Sequence, residues 1–412
     1  MAISTTNTEA KTSNQSNVRL WTLLGTILTQ FALGSVYTWS LFNAPLAKQL
    51  DQPVSQVAFS FGILSLSLAV ASSLSSKLQA KFGVRKVTIG AALLMGATLM
   101  AISHVTHLWA LYLTAGLLLG FADGTGYLMT LSNCVKFFPE RKGLASAYAI
   151  GAYGLGSLGF KYINLYFLTN DNLNMTFEVW GALVTTMVII GALMMTDAPQ
   201  VETQQQSQNT SKDMTLNDAV KTKQFWVLSI IFLTICMSGL YVIGVAKDIG
   251  ESYVHLSVAA AASAVAIIAI ANLSGRLVLG ILSDKISRIK VVSIAVIVCL
   301  AGVLALRFMS LNEMSFYFAV ACVAFSFGGT ITVFPSLVSD FFGLNNLTQN
   351  YGVIYLGFGI GSLIGSIIAS LFGGFSAVFG VMLMLLVVSL VLCITVKAPV
   401  QNQSQDQLMT AA

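Results

Sequence analysis

Arg276 makes the clearest chemical demand in the sequence. It stands eight residues before Asp284 in the apolar run HLSVAAAASAVAIIAIANLSGRLVLGILSDKISRIK, residues 255–290, which is long enough to cross a bilayer as one helix. Helical rise places it roughly 12 Å from the polar loop that begins at Asp284. A charge at that depth costs at least ~2.5–3.5 kcal/mol and needs an anion or a water-filled cavity. A guanidinium stays charged and presents a planar fork matched to a carboxylate. Arg276 therefore reads as a contact for a carboxylate anion, with a structural ion pair as the alternative. Asp123, in GFADGTGY, lies roughly 20 Å from Lys136 by the same rise, and a desolvated carboxylate can take up and release a proton. Lys161, roughly 28 Å from Lys142, can either pair with Asp123 or snorkel to the outer surface. Asp123 and Lys161 are thus a structural pair or a proton-coupling device. Tyr37, Tyr127, Tyr153, Tyr241 and Tyr355 recur on the spans expected to line a cavity, where phenol hydroxyls around one arginine suit a small carboxylate or keto group and packing is the plainer role.

The elements that must position these groups are membrane helices. Charged residues make up 9% of 412 and mean hydropathy is +0.81, which excludes a soluble globular domain of this size. The apolar runs are long and uninterrupted, unlike the alternating segments of barrel strands. Twelve spans are predicted, near 20–42, 56–76, 87–104, 108–133, 143–168, 177–196, 225–248, 256–283, 291–311, 315–340, 350–373 and 375–396. Most of the 21 Lys and Arg residues fall in tails and loops on one side, which puts both termini in the cytoplasm by the positive-inside rule. The net charge of +5 is spread over these short clusters and is not a nucleic-acid footprint. Lys247, Asp248 and Glu251 fall at the outer end of span seven and read as solvated. His104, His107 and His255 read as exposed at span ends. The five cysteines, without paired spacing, read as packing residues. No nucleotide-binding loop, metal cluster or nucleophilic triad is apparent, so neither an enzyme nor a cofactor is expected.

The chain is also duplicated. Tyr153-Gly154-Leu155-Gly156-Ser157-Leu158 recurs as Phe358-Gly359-Ile360-Gly361-Ser362-Leu363, and the loop KLQAKFGVRK (77–86) corresponds to ILSDKISRIK (281–290). The expected organisation is a cytoplasmic tail 1–19, a six-helix bundle 20–196, a linker 197–224 rich in Gln, Ser and Thr, a second bundle 225–396 and a tail 397–412. Parallel repeats of this kind place a transporter's site between the halves at mid-membrane. Clustered glycines such as Gly120, Gly124 and Gly126 are expected where helices pack closely.

The loop SDKISRIK and its degenerate partner resemble the signature loop of the major facilitator superfamily, with Ala80 at the usual acidic position of the first copy and Asp284 keeping it in the second. GSVYTWSLF (34–42), the run containing KFFPERKGLASAYAIGAYGLG, FPSLVSDFFG (334–343) and NYGVIYLGFG (350–359) resemble the oxalate/formate antiporter family over nearly the whole chain, and within it a branch of enteric-bacterial permeases linked to pyruvate. The resemblance implies an all-α fold of twelve transmembrane helices in two six-helix pseudo-repeats. It implies a cavity lined by aromatic side chains and two basic residues, of which Tyr37, Tyr127, Tyr153 and Arg276 match. Phe358 stands where the second basic residue is expected, Val36 where a glutamine occurs, Phe327 for a tryptophan, Ile331 for a tyrosine and Tyr355 for a tryptophan. Asp284, Lys285 and Arg288 are the expected conformational latch.

One arginine compensates one carboxylate, and a dianion lacking its second cation would leave a costly unpaired charge. The expected function is therefore secondary active transport of a small monocarboxylate, pyruvate first, by alternating access. A proton is the candidate co-substrate. Alternatives are a carboxylate sensor that kept a transporter fold and an oxalate/formate-type anion exchanger. The expected partners are the carboxylate anion, the proton and the lipid bilayer, with no nucleic acid. The expected form is a monomer in the bacterial inner membrane.

Overall fold

The computed structural model describes residues 3–138, 142–168, 172–198, 214–343, 346–372 and 374–397. The expected C-terminal tail beyond residue 397 and most of the expected linker, residues 199–213, lie outside them. Every described element is a helix, as a chain that must satisfy its backbone polar groups without water requires. In chain order these are α1 (Ile3–Leu33), α2 (Asn43–Leu50), α3 (Val54–Phe82), α4 (Val84–Ile102), α5 (Leu108–Leu111), α6 (Leu119–Phe137), α7 (Lys142–Leu168), α8 (Leu173–Met194), α9 (Leu216–Ala219), α10 (Lys223–Asp248), α11 (Val258–Ser283), α12 (Arg288–Phe308), α13 (Glu313–Phe342), α14 (Leu347–Phe372) and α15 (Phe375–Thr395). Among the described residues, eleven stretches are long and apolar enough to cross a membrane. α7, with 27 residues, is a further helix of spanning length.

Three spans depart from regular α-helix. The first span tightens into a 3-10 segment, Gly34–Leu41, whose residues are all buried. A π turn over Tyr112–Leu118 joins α5 to α6, rotating α6 relative to a continuous helix. α10 has non-helical backbone at Val245 (φ −129°, ψ 20°) and runs into a π turn at Ile249–Tyr253. At the end of the molecule where Asp197 and Met214 lie, Gly83 (φ 81°) and Gly343 (φ 87°) close α3 and α13, a backbone region in which a Cβ is disfavoured.

Packing follows the duplication. Within the first half α3 lies against α6, and α4 and α1 against α8; within the second, α11 and α12 lie against α13. A Cβ on Gly124 would collide with the Leu68 carbonyl, and one on Gly328 with the Asn272 carbonyl. Both pairs sit at the same place in their halves, with an offset of 204 residues carrying one onto the other. Small residues let the backbones approach this closely in the absence of a hydrophobic drive between helices in lipid. The halves meet along α3 with α14, α7 with α11, and the 3-10 segment with α10.

Candidate functional site

Arg276 lies on the seam. Its side chain is buried on the face of α11 turned to α7, and Nε donates to Asn272 Oδ1 at 2.7 Å while Nη1 donates across the interface to the Ile150 carbonyl at 3.0 Å. Asn272 is one turn away, so its amide and the arginine share a face. Among the described residues no carboxylate lies within ion-pair distance of Arg276 and Nη2 makes no hydrogen bond. Two of five N–H donors are occupied and the others remain for a ligand. Gly154 of α7 faces Arg276 and Asn272, and a Cβ added there would make only ordinary van der Waals contact with them.

The first half supplies the hydroxyls and the acid. Tyr153 donates to Asp123 Oδ2 at 2.8 Å, and Asp123 Oδ1 has no partner among the described residues although the side chain is wholly buried. Tyr37 meets the Tyr153 ring edge-on at 5.3 Å and Tyr127 meets it at 4.9 Å. Arg276 and Asp123 both lie within electrostatic reach of Tyr37 and Tyr127. Gln30 holds α6 in place by donating to the Tyr127 carbonyl at 2.8 Å and to Thr130 Oγ1 at 2.9 Å. The second half supplies ring faces. Phe358 stacks on Tyr355 at 5.1 Å with 15° between planes and approaches Phe327 at 6.2 Å. Tyr351, Phe232 and Phe334 extend this wall. Gly328, next to Phe327, packs against Asn272, so this wall borders Arg276.

Arg276, Tyr37, Tyr127, Tyr153, Tyr355, Phe358, Phe327 and Asp123 thus form one buried neighbourhood. Lys161 does not join it. Its ammonium lies 5.2 Å from the Tyr162 ring centroid, and no ion pair links it to Asp123 among the described residues, because Tyr153 holds that carboxylate instead. Asn272, Tyr351 and Phe232 are not singled out by the sequence; for Asn272 the spacing of four from Arg276 is the available signal.

The end of span seven requires a correction. Lys247 and Asp248 are buried, not solvated. The π turn carries α10 onward, and the 3-10 segment with α2 covers it. Lys247 Nζ pairs with Glu251 at 3.3 Å, and Asn43 Nδ2 donates to Asp248 Oδ2 at 2.7 Å and to the Gly244 carbonyl at 2.8 Å. In the expected latch loop, Arg288 Nη1 grips Asp340 at 2.6 and 2.7 Å, whereas Asp284 and Lys285 make no ion pair among the described residues. His104, His107 and His255 are exposed.

Comparison with known proteins accounts for this architecture. The chain is 60% identical over 351 residues to the uncharacterized transporter YhjX of Escherichia coli (strain K12), covering 85% of this chain and 87% of that one. It is 28% identical to the oxalate:formate antiporter of Oxalobacter formigenes, covering 81% and 79%. It is 27% identical to monocarboxylate transporter 13 of Bos taurus over 42% of this chain and 41% of that one. The crystal structure of the nucleoside transporter NupG superposes with a TM-score of 0.66 at 15% identity, over 92% of this chain and 98% of that one, a likeness of fold alone. The duplicated helical halves and their seam match the profile of the Major Facilitator Superfamily over residues 22–354 and 241–409, and the chain belongs to that superfamily of membrane transporters.

Proposed function

We propose that the chain carries a small monocarboxylate, pyruvate first among the candidates, by alternating access around Arg276. The observation that carries this reading is a buried guanidinium on the seam, with donors to spare and, among the described residues, no protein carboxylate to neutralise it. A membrane-embedded cation of that kind needs an anion. Phe358, Phe327 and Tyr355 offer ring faces and no second positive charge, so a monoanion is matched and a dianion is left half-compensated. The similarity to an oxalate:formate antiporter and to a monocarboxylate transporter supports the substrate class.

Asp123 is the proposed proton carrier. It is wholly buried, lacks a cationic partner among the described residues and is linked through Tyr153 to the rings around Arg276. Loading the substrate beside Arg276 and loading a proton on Asp123 would then share one hydrogen-bonded path. The proposed setting is a bacterial inner membrane with both termini cytoplasmic, the orientation that the basic loops favour.

The test is counterflow in proteoliposomes preloaded with unlabelled pyruvate. Labelled pyruvate is expected to exchange, with lactate and formate competing and oxalate not. Exchange of oxalate as readily as pyruvate would sink the charge-matching argument, and pyruvate binding without counterflow would favour a sensor.

A further inference from the structure

At the end of the molecule opposite Gly83 and Gly343, α3, α10 and α14 line a pocket of about 300 Å³ whose rim residues Ser55, Ser252 and Ser370 are exposed. The polar side chains among its lining residues all carry oxygen: the Asp248 carboxylate, the Tyr241 phenol and the hydroxyls of Ser55, Ser252, Ser366 and Ser370. Tyr241 is 2% exposed, yet its hydroxyl has no hydrogen-bond partner among the described residues. Asp248 is 3% exposed and receives the Asn43 amide. The adjacent Lys247 ammonium is taken by Glu251, so among the described residues an ionised Asp248 has no ion-pair partner where the halves meet.

Such a charge is costly in a membrane protein unless a cation answers it. Oxygen ligands select hard cations over the softer metals that prefer nitrogen or sulfur. A single carboxylate in the cavity falls short of what a divalent ion draws from its ligands. The same negative charge repels a carboxylate substrate, so the cavity is not an annex of the Arg276 site. Ser55 belongs to the first half and the other lining oxygens to the second, so an occupant touching both would hold this end shut. We propose that the cavity is a binding site for a hard monovalent cation of the Na⁺ class, with Asp248 and Tyr241 as its principal ligands.

Thermal unfolding of the purified protein in lipid nanodiscs, titrated with NaCl against choline chloride at constant ionic strength, tests this. A ligand that binds only the folded state raises the melting temperature with its concentration. The expected result is a saturable rise with Na⁺ and none with choline, abolished in Asp248→Asn. In Tyr241→Phe, half-saturation should move to about threefold to tenfold higher Na⁺, as loss of one ligand bond predicts. Should Asp248→Asn fail to fold, Tyr241→Phe and Ser366→Ala carry the test, since both keep the carboxylate. Equal responses to Na⁺ and choline, an undiminished Na⁺ response in the variants, or stabilisation that follows pH alone overturns the proposal. No carboxylate is present in these titrations, so the result is independent of the Arg276 reading.

Discussion

The two halves share one frame and divide the chemistry between them. An offset of 204 carries Gly124 and Leu68 onto Gly328 and Asn272, and the same offset carries Ser72 onto Arg276, Asp123 onto Phe327 and Tyr37 onto Tyr241. In the first half Ser72 donates to the Gly124 carbonyl at 3.0 Å and completes an ordinary helix contact. In the second, the equivalent position holds the buried guanidinium. The acid has the reverse history, present at Asp123 and replaced by a phenyl ring at Phe327. Each half therefore brings one charged group to the neighbourhood of Arg276, and neither half alone holds both the anion contact and the proposed proton carrier. A duplicated transporter can place cation and acid near each other without pairing them, because the helices that carry them are fixed by separate glycine contacts.

The sharpest way to break this division is to remove the cation. Arg276→Ala is expected to lower pyruvate uptake in proteoliposomes by about 30-fold or more, the scale of truncating one partner of a desolvated charge pair. Arg276→Lys should also be severely impaired, since an ammonium cannot reproduce the fork that reaches Asn272 and Ile150 together. Uptake at the wild-type rate in either variant removes Arg276 from the mechanism. Asp123→Asn sharpens the other side. It should lose uptake driven by a pH gradient while keeping pyruvate counterflow, and retention of gradient-driven uptake would take the proton from Asp123.

A smaller effect should come from making the halves more alike in charge. Phe358→Lys places a second cation against Tyr355 and Phe327 and is expected to improve competition by oxalate relative to pyruvate. Tight oxalate binding with Phe358 in place contradicts the charge count. Tyr153→Phe removes the hydrogen bond to Asp123 and should cost gradient-driven uptake roughly threefold to tenfold, measured against counterflow as the internal control. Least affected should be Asp340→Asn. The Arg288 pair is partly exposed, with the two side chains 28% and 44% accessible, so thermal stability should change by no more than about 1 kcal/mol.

Much of this is legible from one dimension. The spans follow from hydropathy, the seam from the repeat, and Arg276 from the cost of a charge in a long apolar run. Tyr37, Tyr127 and Tyr153 converge as their spans suggest. Pairings across the halves are not legible. Asp248 sits among polar neighbours at the end of an apolar run, and hydropathy reads such a place as water; what buries it is Asn43, 205 residues away. Helical rise brings Lys161 and Asp123 to comparable depths, but rise is silent on azimuth, and the π turn before α6 alters the azimuth of Asp123. Asp340 escapes notice as the partner of Arg288 because its counterpart in the first half is Lys136, so the repeat itself points away from it.

The bend at Val245 lies between the two groups that the Asn43 amide holds, the Gly244 carbonyl and the Asp248 carboxylate. One side chain from one half thus clamps both banks of a break in the other. Any change in the bend at Val245 would shift the two acceptors relative to one another, and both are held by one amide. The bend and the contact between the bundles at this mouth therefore share one anchor, and replacing Asn43 should loosen both without touching the groups around Arg276.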